Sequence, residues 1–191
     1  MMLMYTGKQY AELAKNPKYD KIKYSEKDCQ AFCELVLKDL GVRNTNGKPF
    51  DWKGSNDMYR NAVSWIGTID ECRRAFGDIP LGAWAFMWDT SGAEKERGYY
   101  DGKGNASHIG IYVGDNTVRD STKIKNASGQ VIRDGVGSRK LSQFQKIGLC
   151  KYLDFVGTNP TINIEIDRDK ANEVYNALSS AIKIVEGWLK S

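Results

Sequence analysis

The chain has little histidine and no long apolar run, and both shortages argue against whole classes of protein. One histidine and four cysteines occur among 191 residues. A structural zinc site needs about four clustered ligands, so we predict no metal site and no organic cofactor. No segment approaches the roughly 20 apolar residues that cross a bilayer. We therefore expect a soluble protein without a membrane span.

A dense basic block and a disulfide framework are also missing. The 28 basic and 24 acidic residues are interspersed and give a net charge of +4, so nucleic acid is not a predicted partner. Residues 1–8 lack the pattern of a secretory signal. The four cysteines do not resemble a disulfide framework, and we expect reduced thiols at Cys29, Cys33, Cys72 and Cys150.

The first half of the chain has the spacing of helices. Thr6 and Gln9 form a capping box for a short first helix. A second helix is predicted to open at Ser25 and to stop at Gly41, and a later one to follow the Thr68–Glu71 capping box. The apolar positions of the second helix recur at intervals of three and four: Cys29, Phe32, Cys33, Val36, Leu37 and Leu40. Between these helices, Ser55 is predicted to cap another whose inward residues are Met58, Ala62, Trp65 and Ile66.

After Pro80 the pattern changes to short strands. They are predicted at residues 83–89, 107–114, 117–122, 131–133 and 149–155. The turn sequence Gly114-Asp115-Asn116 should join two of them as a hairpin. Helices followed by an antiparallel sheet predict the α+β class.

Two segments have open interpretations. The loop at residues 90–106, with Tyr99 and Tyr100, is either a substrate lid or a variable excursion. We place one domain at residues 1–157 and an extension at 158–191 that contains a strand and a long helix. That helix either packs on its own domain or forms a homodimer through Val174, Leu178, Ile182 and Val185.

Cys29 is the candidate nucleophile. A thiol attacks as the thiolate, and the N-terminus of a helix stabilises negative charge. Cys29 falls in the first turn of the second predicted helix, where free N–H groups can also bind an oxyanion. The other three cysteines lie on apolar faces, where core packing explains them.

The lone histidine supplies a candidate base. His108 opens the apolar strand of residues 108–113, from which an imidazole can project over the start of a helix. The predicted hairpin returns Asp120 to its side, so Asp120 is the preferred group to orient the ring. Asn105 and Asp115 are alternatives, and a surface ion pair of Asp120 with Arg119 or Arg133 is the non-catalytic interpretation.

Three motifs resemble those of the NlpC-type cell-wall cysteine peptidases. Asp28-Cys29-Gln30-Ala31-Phe32 resembles the family's nucleophile motif, and the segment 107–114 resembles its histidine strand. Residues 79–86 resemble the strand that precedes the histidine. The family's third catalytic residue falls on Asp120. Phage-encoded and prophage-encoded members look most similar, since they share the absent signal and a helical insert at residues 54–77.

The resemblance implies a papain-like fold and hydrolysis of an amide in the stem peptides of bacterial peptidoglycan, at the cell wall. It assigns catalysis to Cys29, His108 and Asp120. It assigns oxyanion or substrate contacts to four residues, Asp28, Gln30, Tyr24 and Ser107, with Tyr19 as the alternative tyrosine. Rival functions on the same scaffold are a CHAP-type amidase, a non-catalytic phage structural or wall-binding protein, and a deamidase or transferase acting on protein glutamine.

Overall fold

The computed structural model describes residues 5–90 and 104–155, which belong to the first of two units of the chain, Met1–Thr161. Most of the predicted lid, including Tyr99 and Tyr100, lies outside the described residues. The extension at 158–191 also lies outside the described residues, and so do the four residues predicted to form a homodimer through the C-terminal helix. In the described part of the chain, no helix is long and apolar enough to span a membrane.

The described residues form an α+β fold, as predicted. Its four α-helices are α1 (Gly7–Ala14), α2 (Cys29–Leu40), α3 (Ser55–Asn61) and α4 (Ile69–Phe76). Its six strands are β1 (Val63–Thr68), β2 (Trp84–Asp89), β3 (Asn105–Gly114), β4 (Thr117–Lys125), β5 (Val131–Lys140) and β6 (Lys146–Cys150). The strands make one antiparallel sheet in the order β1-β6-β2-β3-β4-β5.

Helix α2 begins later than predicted. Its cap is Asp28, whose carboxylate accepts from the Ala31 N–H at 2.8 Å, and not Ser25, which lies in the turn before it. The Asp28 side chain accepts a hydrogen bond from a free N–H group of the first turn, and Asp28 is therefore the N-cap residue. The predicted end is confirmed, because Gly41 adopts the left-handed conformation with φ 93°.

The segment predicted as one long helix from Ser55 is a helix followed by a strand. Helix α3 ends at Asn61, and Trp65 and Ile66 belong to β1, which pairs with β6. The segment 63–68 is rich in β-branched and aromatic residues, which favour a strand once a partner is present. The insert at 54–77 is therefore not purely helical.

The sheet is covered on both faces at its centre, because successive side chains of a strand point to opposite faces. Trp84 and Phe86 of β2 pack with the apolar residues of α1, α2 and α3. Ala83 and Ala85 pack instead with Cys72 of α4 and with residues of β6. Phe32 of α2 and Ile109 of β3 belong to the first of these clusters, so the helix that begins at Cys29 lies against the strand that carries His108.

Strands β5 and β6 differ most from their predicted ranges. Strand β5 continues from Val131 through Gly135 and Gly137 to Lys140, beyond the predicted end at Arg133. Gly135, at φ 120°, is required because a Cβ there would lie 1.9 Å from the Ile22 carbonyl oxygen. Strand β6 covers Lys146–Cys150 rather than 149–155.

Candidate active site

Cys29 is the first residue of α2. The backbone N–H groups of Cys29 and Gln30 have no acceptor among the described residues, as expected for a first helical turn. The Asp28 carboxylate accepts a hydrogen bond from the Ala31 N–H, and the Asp28 carbonyl accepts one from the Phe32 N–H. The sulfur therefore lies at the positive end of the helix, beside donors that can bind an oxyanion.

His108 lies on β3, and its ring lies between Asp120 and Cys29. Its Nε2 is 2.6 Å from Oδ2 of Asp120, and the Cys29 thiol is close enough to the imidazole to raise its pKa. Since Nε2 is taken by Asp120, Nδ1 is the nitrogen left for the sulfur. The structure therefore brings the three predicted catalytic residues together.

The hairpin brings Asp120 to His108 as the sequence indicated. Asp115 and Asn116 take positive φ values of 49° and 53°, the geometry of a tight hairpin turn, and β4 runs back beside β3. The two alternatives do not reach the ring. Asp115 occupies the turn itself, and Asn105 accepts from Asn56 at 2.5 Å.

A β-bulge adjusts the direction of His108. Strand β3 pairs His108 with Met87 and Ala106 with Trp88, so Ser107 is the extra residue between them. A bulge of this kind re-aims a side chain next to it. The Ser107 side chain is exposed and makes no hydrogen bond to Cys29, His108 or Asp120 within the described residues. A substrate contact by Ser107 stays a prediction.

Asp120 is fully buried, with 0% of its surface exposed, and it is bound by two arginines as well as by His108. Nη2 of Arg133 donates to both Oδ1 and the backbone oxygen of Asp120. Nε of Arg139 forms an ion pair with Oδ2 at 3.0 Å, although its N–H is not directed at an acceptor. Arg119, the other cation considered, pairs with Asp20 instead. The predicted pairing of Asp120 with Arg133 is confirmed, whereas the surface position and the pairing with Arg119 are wrong.

The electrostatics of the pair favour a charged imidazole. Burial lowers the pKa of His108, but the hydrogen bond to Asp120 and the nearby Cys29 thiol outweigh burial and raise that pKa to about 9. Burial raises the pKa of Asp120, yet the bond to His108 and the charges of His108 and Arg133 lower it overall. The structure thus favours an imidazolium held by an ionised carboxylate.

A pH dependence of stability follows from the raised pKa of His108. The folded-state pKa of about 9 exceeds the unfolded value of 6.5, so the stabilisation is complete below pH 6.5 and is lost as pH rises to 9. We expect urea denaturation to show a loss on the order of 2–3 kcal/mol across this window. His108→Gln should remove this slope. Parallel profiles for the two proteins would contradict the assignment.

Tyr24 is the tyrosine next to the nucleophile. Burial, followed by the nearby charges of Cys29 and Asp28, raises its pKa above 10. The alternative, Tyr19, is buried in the core, where its hydroxyl donates to Asp39 at 2.9 Å. The structure therefore places Tyr24, and not Tyr19, beside the site.

Strands β4 and β5 also hold the segment that leads into Cys29. The Ser121 hydroxyl donates to the Lys27 carbonyl at 2.5 Å, and the Tyr24 N–H donates to Asp134 at 3.3 Å. The Val136 N–H donates to the Ile22 carbonyl at 3.2 Å. Because Ser121 is adjacent to Asp120, one strand fixes both the approach to the nucleophile and the group that orients the base.

The side chain of Gln30 binds within the domain, while the predicted oxyanion or substrate contact by Gln30 stays a prediction. Its Nε2 donates to Glu34 at 2.9 Å and to the carbonyl of Trp52, and Glu34 in turn accepts from the Trp52 N–H at 2.7 Å. The side chain thereby holds the segment around Trp52 against α2. Only the backbone N–H of Gln30 is placed for an oxyanion.

Arg139 had not been considered in the sequence, and Arg133 only as a surface partner. The sequence of β5 did indicate that these residues share one face of the strand. Every second position from 133 to 139 is an arginine or a glycine: Arg133, Gly135, Gly137 and Arg139. Among residues 5–90 and 104–155, no group of three or more His, Cys, Asp or Glu is placed to hold a metal ion.

Two cavities open near the β3–β4 turn, away from this chain of residues. Their volumes are about 270 and 680 Å³, and they share Asp115 and Thr117. Neither is lined by Cys29, His108 or Asp120.

Comparison with known proteins adds no assignment. No model of a known protein family matches the sequence, and no curated protein matches it either.

Proposed function

We propose that the protein is a cysteine peptidase or amidase that hydrolyses an amide bond in the stem peptides of bacterial peptidoglycan. The observation that carries the proposal is the arrangement of Cys29, His108 and Asp120 at the start of α2, with His108 bonded to Asp120 and close to the Cys29 thiol. A nucleophile, a base and a group that orients the base are the parts that acyl transfer through a thioester requires. The resemblance of residues 28–32 and 107–114 to the NlpC-type peptidases supplies the substrate class.

Each part of the site has a role in the first half of the reaction. Nδ1 of the neutral imidazole takes the thiol proton, which gives the imidazolium that Asp120 stabilises, and the sulfur bonds to the amide carbon while the carbonyl π electrons move to oxygen. The N–H groups of Cys29 and Gln30 bind this oxyanion. When the carbonyl re-forms, the C–N bond breaks and the imidazolium gives its proton to the leaving amine.

Water completes the cycle. His108 removes a proton from water as its oxygen attacks the thioester carbon, the carbonyl re-forms, and the C–S bond breaks with return of the proton to sulfur. Asp120 stays ionised and keeps the imidazole in the tautomer that faces Cys29. A papain-like NlpC-type fold, in which a helix presents the cysteine to a strand bearing the histidine, is part of this proposal.

Digestion of purified cell walls tests the substrate. We expect the protein to release stem-peptide fragments whose masses show a new amino group and a new carboxyl group within the peptide. Release of whole stem peptides from the sugar, or cleavage confined to a cross-bridge, would instead favour the CHAP-type amidase. Unchanged walls of several chemotypes would contradict hydrolysis of peptidoglycan.

The non-catalytic rival, a phage structural or wall-binding protein, is separated by thiol chemistry. In an active enzyme, Cys29 beside His108 should react with iodoacetamide at pH 7 faster than a free peptide thiol. In a binding protein that merely retains the scaffold, the two rates should be similar. A deamidase of protein glutamine would show the fast alkylation but would leave purified walls intact.

A further inference from the structure

Asp120 is held by more than its hydrogen bond to His108, and the extra contacts divide between its two carboxylate oxygens. Oδ2 receives Nε2 of His108 at 2.6 Å and lies 3.0 Å from Nε of Arg139. Oδ1 receives Nη2 of Arg133, and the same nitrogen donates to the Asp120 backbone oxygen at 3.1 Å. A donor shared between a side-chain oxygen and the backbone of the same residue restricts rotation of that side chain.

The sequence of β5 is arranged for this contact. Asp120 pairs in register with Gly137, which lies between Arg133 and Arg139 on the same strand. A Cβ at Gly137 would be 3.0–3.1 Å from Cδ, Cζ and Nε of Arg133, so the arginine passes directly over the glycine backbone. A side chain at that position would push the guanidinium away from Asp120.

From this geometry we infer that Arg133 is a positioning residue, which fixes the Asp120 carboxylate so that Oδ2 points at His108. Arg133 acts through Asp120, and among the described residues it makes no hydrogen bond to Cys29 or His108. The inference deepens the proposed function, because it adds a residue that determines how the base is held.

A competing contact explains why such a hold is needed. Arg139 approaches the same oxygen that binds His108, and its Nε has no acceptor of its own. Without Arg133, the carboxylate is free to rotate toward Arg139 and so to leave Nε2 of His108. Arg133 stabilises the one rotamer in which the base keeps its partner.

The chain contains one histidine, so its ring signals in an NMR titration belong to His108 without ambiguity. Arg133→Lys keeps the positive charge but replaces Nη2, which binds Oδ1 and the backbone oxygen of Asp120, with an amine on a shorter and more flexible side chain. We expect the His108 pKa to fall from about 9 toward 6.5 by at least one unit, a tenfold change in the protonation constant. Wall hydrolysis should lose at least tenfold in kcat with little change in KM.

Arg119→Lys is the matched control. Arg119 is a buried arginine of the neighbouring strand that pairs with Asp20 and donates to the Ala14 carbonyl at 3.3 Å, so the His108 titration should stay as in the wild type. If Arg133→Lys loses its fold, Gly137→Val displaces the guanidinium without changing any charge and should shift the titration in the same direction.

An unchanged His108 titration in folded Arg133→Lys would overturn the inference. The titration uses no substrate, so this outcome is separate from failure of the proposed function. A protein that leaves walls intact but shows the shift would keep the positioning role and lose the hydrolase assignment.

Discussion

Replacing the nucleophile should abolish hydrolysis altogether. In Cys29→Ala the thioester cannot form, and we expect wall digestion to fall by about 10⁴-fold or more, to the level of a buffer control. The substitution removes one small side chain with 8% exposure at the start of α2, while the Asp28 cap that holds the helix remains. The variant should therefore fold, which circular dichroism and a melting curve can verify.

Cys33→Ala is the control for this variant. Cys33 lies one turn further along the same helix, is fully buried, and belongs to the core. Its loss should lower stability by about 1–2 kcal/mol and leave the hydrolysis rate within a few-fold of the wild type. If Cys33→Ala were inactive and Cys29→Ala active, the nucleophile would be misassigned.

Asp120→Asn should damage both catalysis and stability. An amide in place of the carboxylate no longer holds the His108 tautomer, so we expect kcat to fall by about 10²–10⁴-fold. The change also leaves Arg133 and Arg139 without their buried anion, which should cost on the order of 3–5 kcal/mol. In the folded variant the His108 pKa should move from about 9 toward 6.5. Urea denaturation and the single-histidine titration measure the two effects.

Asp20→Asn provides the comparison, because it also removes a carboxylate from an arginine. The Asp20 side chain is 52% exposed, and its ion pair with Arg119 is solvated on that side. We expect a stability change below about 1 kcal/mol and an unaltered hydrolysis rate. Equal effects of the two variants would mean that Asp120 has no special role in the site.

Local signals in the sequence predicted the parts of the site that neighbouring residues specify. The capping boxes at Thr6 and Thr68 and the stop at Gly41 depend on contacts within a few residues, and all three are confirmed. The turn at Gly114 was similarly readable, because positive φ values demand particular residues. That turn is what placed Asp120 beside His108.

Signals failed where a distant partner decides the outcome. Trp65 and Ile66 suit a helix face as well as a strand, and pairing with β6 determines which forms. The predicted strand at 131–133 was too short, and the glycines that extend it depend on Ile22 and Arg133, which lie against Gly135 and Gly137 in the folded protein. The Gln30 side chain binds the carbonyl of Trp52, 22 residues away, and no local pattern indicated that partner.

By itself the sequence determined the α+β class and the position of Cys29 in a first helical turn, and it favoured Asp120 over Asn105 and Asp115 as the partner of His108, because these features follow from periodicity or from a short turn. Only the tertiary structure decided that the Asp120 carboxylate is buried beside two arginines. It also decided that Tyr24 lies close enough to Cys29 for the charge of the thiolate to raise its pKa. It also decided that β4 holds the segment before α2. Those features depend on contacts between residues far apart in the chain, and no local pattern specifies which distant side chains meet.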